Sequence, residues 1–132
     1  MRIMIDTNIL VSAILFSSTQ MNDLMRVITN KHKLILSSFV IDELVGVVDR
    51  KFKGKEKAVA QFLSKFPYEM LYTPKETEPG LFKIRDEKDY PILYTAIMED
   101  VDILITGDKD FFGIELEKPE ILTPAQFLNK FS

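Results

Sequence analysis

Short unbroken apolar runs recur along the chain and alternate with stretches in which apolar residues return every three or four positions. The runs are Ile3-Met4-Ile5, Leu34-Ile35-Leu36, Met70-Leu71-Tyr72 and Ile103-Leu104-Ile105, and Ile121-Leu122 adds a fifth. A run that is apolar at every position buries both faces of a strand, the pattern of a parallel sheet covered by helices on each side. Between the runs lie helical patterns. Ile9 to Phe16 is apolar nearly all round, and Met21, Leu24, Met25 and Ile28 follow; Val40, Leu44, Val47 and Val48 form the next, then Val59, Phe62, Leu63 and Phe66. Ile92, Leu93, Ala96 and Ile97 supply another, and Thr123-Pro124 opens a terminal helix carrying Phe127, Leu128 and Phe131. Strands alternating with helices predict an α/β fold: a three-layer α/β/α sandwich on a mainly parallel sheet of about five strands. The stretch 73–85, with Pro74, Pro79 and Gly80, is long for a plain connection and reads as a mobile flap beside a site.

Composition narrows the class. At 132 residues, 46% hydrophobic and 28% charged, the chain reads as one globular domain over 1–132 with a real core. The apolar stretch Ile9–Phe16 falls far short of the roughly 20 residues of a membrane span, and Asp6 and Asn8 interrupt the only segment resembling a secretory leader. With no cysteine there is no disulfide or thiolate metal site, so a soluble protein of a reducing cytoplasm is expected. A single histidine, His32, and no recognisable nucleophilic serine argue against Ser/His/Asp chemistry.

The charge is unevenly spread. The net value is −3, yet residues 86–120 hold eleven acids against three lysines. Residues 1–85 carry the opposite excess, much of it in Arg50, Lys51, Lys53, Lys55 and Lys57, with Lys31 and Lys33 nearby. Such a run is either a solvated helix end or a phosphate-contacting patch.

Ligands of open α/β sheets collect outside the carboxyl ends of the strands. Two aspartates stand there: Asp6 closes the first run, and Asp108 follows the fourth in Thr106-Gly107-Asp108. The first strand-helix turn lacks the glycines of a dinucleotide fingerprint, and no Gly-rich phosphate loop with a lysine occurs. Helical phase marks two further acids. With Val40 at zero, Glu43 lies at about −60°, on the edge of the apolar stripe; with Ile92 at zero, Asp89 lies at about 60°, facing inward. Each acid also has an ordinary role open to it: Asp6 as a turn former, Asp89 as a helix cap, Asp108 as a loop residue and Glu43 as a helix-edge charge. Four carboxylates at one sheet edge nevertheless repel, by about 4 kcal/mol for a pair 4 Å apart at an effective dielectric of 20. A cluster therefore calls for a cation. The all-oxygen donor set suits Mg²⁺ or Mn²⁺.

These residues fall in motifs that resemble PIN-domain nucleases. The resemblance runs from Met4-Ile5-Asp6-Thr7-Asn8-Ile9-Leu10 through Ser37-Ser38-Phe39-Val40-Ile41-Asp42-Glu43-Leu44 to Asp89-Tyr90-Pro91-Ile92-Leu93-Tyr94-Thr95-Ala96, and closes on Thr106-Gly107-Asp108-Lys109-Asp110-Phe111. It implies a metal-dependent endoribonuclease that cleaves single-stranded RNA by activated-water attack, with Asp6, Glu43, Asp89 and Asp108 as catalytic acids and Mg²⁺ or Mn²⁺ ligands. Thr7, Asn8 and Thr106 are expected to orient carboxylates or phosphate. Asp86 and Asp110 are extra carboxylates whose place in the pattern is ambiguous. The chain also resembles the prokaryotic branch described as toxins of toxin–antitoxin pairs, which implies an antitoxin protein as partner; self-association as a dimer is a further expectation. Lys31, Lys33 and the Arg50–Lys57 run are candidate RNA contacts. Two other readings stand beside this one: a catalytically silent interaction module of the same fold, and a receiver-like phosphoacceptor domain. The second lacks the lysine and paired early acids it requires.

Overall fold

The computed structural model describes residues 1–131. Five parallel strands form one sheet: β1 Arg2–Ile5, β2 Lys33–Ser37, β3 Glu69–Leu71, β4 Ile103–Ile105 and β5 Glu120–Leu122. Six helices connect or follow them: α1 Thr7–Leu15, α2 Thr19–Lys31, α3 Ser38–Lys51, α4 Glu56–Lys65, α5 Tyr90–Met98 and α6 Pro124–Phe131. All five expected strands are present, and the architecture is the expected α/β/α sandwich. The three residues at the heart of β1 (Ile3, Met4, Ile5) and all of β4 are buried, as continuous apolar runs covered on both faces must be. Among the described residues no helix is long and apolar enough to cross a membrane.

The strand order is β3-β2-β1-β4-β5. The chain thus builds outward from β1 in one direction, then returns to the other side of β1 to add β4 and β5. The reversal between β1 and β4 is the topological switch point, where the connections leave in opposite directions and a crevice opens at the strands' carboxyl ends. Register fixes what stands there, because Ile5 pairs with Ile105, so that Asp6 and Thr106 leave the sheet side by side. The ladder runs on past the strands: Asp6 N–H donates to Ile105 O at 3.2 Å, and Thr106 N–H to Leu122 O at 3.0 Å.

Caps set where the helices begin. Asp6 is the N-cap of α1 and accepts from Ile9 N at 3.0 Å; Ser37, at the end of β2, caps α3 by accepting from Val40 N at 3.1 Å. Both helices therefore start at the crevice edge and hold their first turns against it. The segment between β3 and α5, expected as a mobile flap, is fastened at its far end. The Tyr90 hydroxyl donates to Glu78 O at 2.5 Å and accepts from Leu81 N at 3.3 Å, and its ring stacks on Phe82 at 4.3 Å between centroids.

Candidate metal and catalytic cleft

Asp6 is the most enclosed acid, only 3% exposed. One carboxylate oxygen caps α1; the other accepts a short hydrogen bond from the Thr106 hydroxyl. The same Thr106 oxygen accepts from Asp108 N at 3.0 Å, so a single hydroxyl ties the acid after β1 to the acid after β4. Burial raises the Asp6 pKa, against the lowering effect of the Thr106 and Ile9 hydrogen bonds, and the charges of Asp108 and Glu43 add to the rise.

Glu43 reaches the cleft from the second turn of α3, where the Thr7 hydroxyl donates to its Oε1 at 2.6 Å. Asp89 arrives from the start of α5. It closes a 3₁₀ turn over Glu87–Asp89 and stands as the N-cap of α5 without making a side-chain cap bond. Its carboxylate is thereby left for the cleft. One oxygen, Oδ2, is buried with no hydrogen-bond partner. Burial is the largest cause pushing its pKa up to about 7; a hydrogen bond with Asp108 and the charges of Asp108, Asp86 and Asp6 push the same way. Asp86 does take up a capping role, accepting from Lys88 N at 3.0 Å across the 3₁₀ turn.

A cleft of about 160 Å³ gathers Asp6, Glu43, Asp89 and Asp108 with Thr7 and Asn8, so the seven residues singled out at strand and helix ends meet at one place except Thr106, which stands beneath as a hydrogen-bond bridge. Asp86 and Lys88 also line it. Asp110 also comes to the acids: the 3₁₀ turn Lys109–Phe111 brings it round, its N–H donates to Asp108 Oδ1 at 2.9 Å, and one oxygen each of Asp89, Asp108 and Asp110 lie within 4.8 Å of one another. Arg85 Nε sits 2.9 Å from Asp110 Oδ1 and partly neutralises that side. The signal was the D-K-D spacing, which a tight turn folds onto one site.

The cleft's possible metal donors are carboxylate, hydroxyl and amide oxygens, and an aspartate oxygen is buried there without a partner. Both observations fit a hard divalent cation, which would satisfy the orphaned oxygen and the mutual repulsion together.

The basic residues are dispersed. Lys33 begins β2 and Lys31 ends α2, at the opposite edge of the sheet from the cleft, and Lys33 is 3.3 Å from Glu69. They stand at the amino end of β2, whereas the acids line the cleft at the carboxyl ends of the strands. Lys51, Lys53, Lys55 and Lys57 lie, exposed, where α3 ends and α4 begins. Arg50 alone follows the stripe of Glu43 and Val47 along α3, seven residues on from Glu43, with its guanidinium lying over Gly46. A separate cleft of about 630 Å³ between α1, α2 and α4 contains none of the acids.

A family model described as PIN domain matches residues 2–110. Among solved structures the chain is similar to one in the crystal structure of VapBC2 from Rickettsia felis bound to a DNA fragment from their promoter, with a TM-score of 0.71, 25% sequence identity, and coverage of 92% of this chain and 97% of that one. No curated protein matches.

Proposed function

The chain belongs to the PIN-domain family, and from that premise we propose that it is a divalent-metal-dependent endoribonuclease acting on single-stranded RNA. The observation that carries the reading is the buried, unpartnered Asp89 oxygen among Asp6, Asp108 and Asp110. An apolar or purely structural site would have no reason to hold a desolvated acid there, and an isolated one would be costly. PIN domains are generally nucleases, which sets the reaction class.

Asp6, Asp89 and Asp108 would hold the cation, with Glu43 completing the set directly or through water. Mg²⁺ or Mn²⁺, when bound, would supply a water of lowered pKa and charge stabilisation at the phosphate. The chain's own residues then do the rest. Thr106 fixes Asp6 and Asp108 in register with each other; Thr7 holds the Glu43 carboxylate toward the cleft; Asn8, exposed on the first turn of α1, offers an amide to a phosphate oxygen. Lys88, which lines the same cleft, offers an ammonium to that phosphate. No histidine base is required.

The similarity to a VapBC2 chain supports a further proposal, that the protein is the toxin of a toxin–antitoxin pair working in the cytoplasm with an antitoxin protein as its partner. Co-purification with the product of the neighbouring reading frame tests that part.

Cleavage is tested with purified protein and a fluorescent single-stranded RNA in Mn²⁺ or Mg²⁺. The expected result is cutting that stops on chelation and is absent in Asp6→Asn. Cutting that persists in excess EDTA, or an unaffected Asp6→Asn, contradicts the proposal.

A further inference from the structure

Beside the acidic cleft lies a second pocket, about 530 Å³, within the usual ligand-site range of about 300–1,000 Å³. The two share a wall. Along the segment 86–92, Asp86, Lys88, Asp89 and Ile92 line the cleft, while Glu87, Tyr90 and Pro91 line the pocket. The opposite wall comes from the segment before it and includes Phe82, Lys83 and Ile84. Phe82 and Tyr90 are stacked, 4.3 Å between centroids and 16° between planes, and Tyr94 extends the stack at 6.0 Å. The two Tyr90 hydroxyl bonds to residues 78 and 81 hold the rim in place. The pocket is thus preorganised, with aromatic and apolar walls, and Lys83 forms no ion pair among the described residues.

We propose that this pocket receives one unstacked base of the RNA whose phosphodiester lies at the acids, an inference that rests on the nuclease reading above. A single-stranded polynucleotide presents phosphate and base in alternation, and here a hard-acid cleft and an aromatic pocket stand on the two sides of one short segment. Base–aromatic stacking tolerates any base, because every base has a π-face, and Lys83 supplies charge for the flanking phosphate. The pairing also selects single strands, since a duplex keeps its bases stacked and offers none to the pocket.

The test uses the full chain in Mn²⁺ and a series of single-stranded oligoribonucleotides of one sequence, each with one abasic nucleotide at a different distance from the cut. One position next to the cut is expected to raise KM about tenfold with kcat little changed. Phe82→Leu is expected to raise KM on the intact RNA about as much, and to have no added effect on the RNA abasic at that position, as two changes removing one contact must behave. Lys83→Ala, which disturbs no packed ring, is expected to raise KM and flatten its dependence on salt. An abasic series with uniform KM, or a Lys83→Ala protein identical to the parent, overturns the base pocket while leaving cleavage standing. Absence of cleavage by the parent removes the nuclease reading and this inference with it. If Phe82→Leu fails to fold, the abasic series and Lys83→Ala decide.

Discussion

Asp89 and Asp108 stand together as two carboxylates of one cluster, and Asp89 keeps a buried oxygen that no donor satisfies. Without a cation the arrangement is relieved by a proton, since burial and the neighbouring carboxylates push the Asp89 pKa up to about 7.

That proton makes the stability of the metal-free protein fall with pH. The ordinary value for an aspartate is 3.8, so between about pH 4 and pH 7 the folded protein retains a proton that the unfolded chain has released. The contribution is whole below about pH 4, is lost as pH rises through 7, and is constant above; Asp6, also raised, acts in the same direction. Urea midpoints measured in EDTA are expected to drop from pH 5 to pH 8, and Asp89→Asn to remove much of the drop. A flat or rising profile for the parent contradicts the cluster. Because a cation competes with the proton, the stabilisation given by added Mn²⁺ is expected to grow over the same range.

Asp89, not Asp86, is expected to be the essential acid of the Asp86-Glu87-Lys88-Asp89 cluster. Both line the cleft, but Asp86 spends an oxygen on Lys88 N, whereas Asp89 makes no cap bond. Asn substitutions compared in one cleavage assay should lower activity about 100-fold at Asp89 and leave Asp86→Asn close to the parent. The reverse order would show the roles to be exchanged.

Thr106→Val tests the bridge beneath the site. The swap keeps the shape and removes the hydroxyl that donates to Asp6 and accepts from Asp108 N–H. Leaving those buried groups without their partner is expected to cost about 1–3 kcal/mol in chemical denaturation, with Thr106→Ser restoring most of it. A Thr106→Val protein as stable and active as the parent would mean that the bridge positions nothing.

Much of this was legible in the chain because the strands are short and uniformly apolar, so each run of three marks both a strand and the point where the next residue leaves the sheet. Asp6 and Asp108 were placed that way, and helical phase placed Glu43. Phase also put Asp89 on the inward side, though periodicity does not register the 3₁₀ turn before α5 that precedes its carboxylate. Asp110 and Lys88 depend on similar tight turns. Lys31 and Lys33 stand apart from the acids by the length of β2, a separation that nearness in sequence does not register. The strand order, which creates the crevice at β1 and β4, depends on pairings across 100 residues and carries no local signal.

The central claim, that these acids form a divalent-cation site, is tested most directly by thermal melts of the parent and Asp6→Asn in EDTA and in Mn²⁺. Asn caps a helix about as well as Asp and leaves no cavity, so relief of repulsion should make metal-free Asp6→Asn at least as stable as the parent. Binding to the folded state alone stabilises the parent by about 2.7 kcal/mol at a hundredfold excess over Kd, and Asp6→Asn should lose most of that shift. A clearly lower melting temperature for Asp6→Asn in EDTA, together with an unchanged Mn²⁺ shift, would make Asp6 a structural cap and contradict the metal site at its most buried residue.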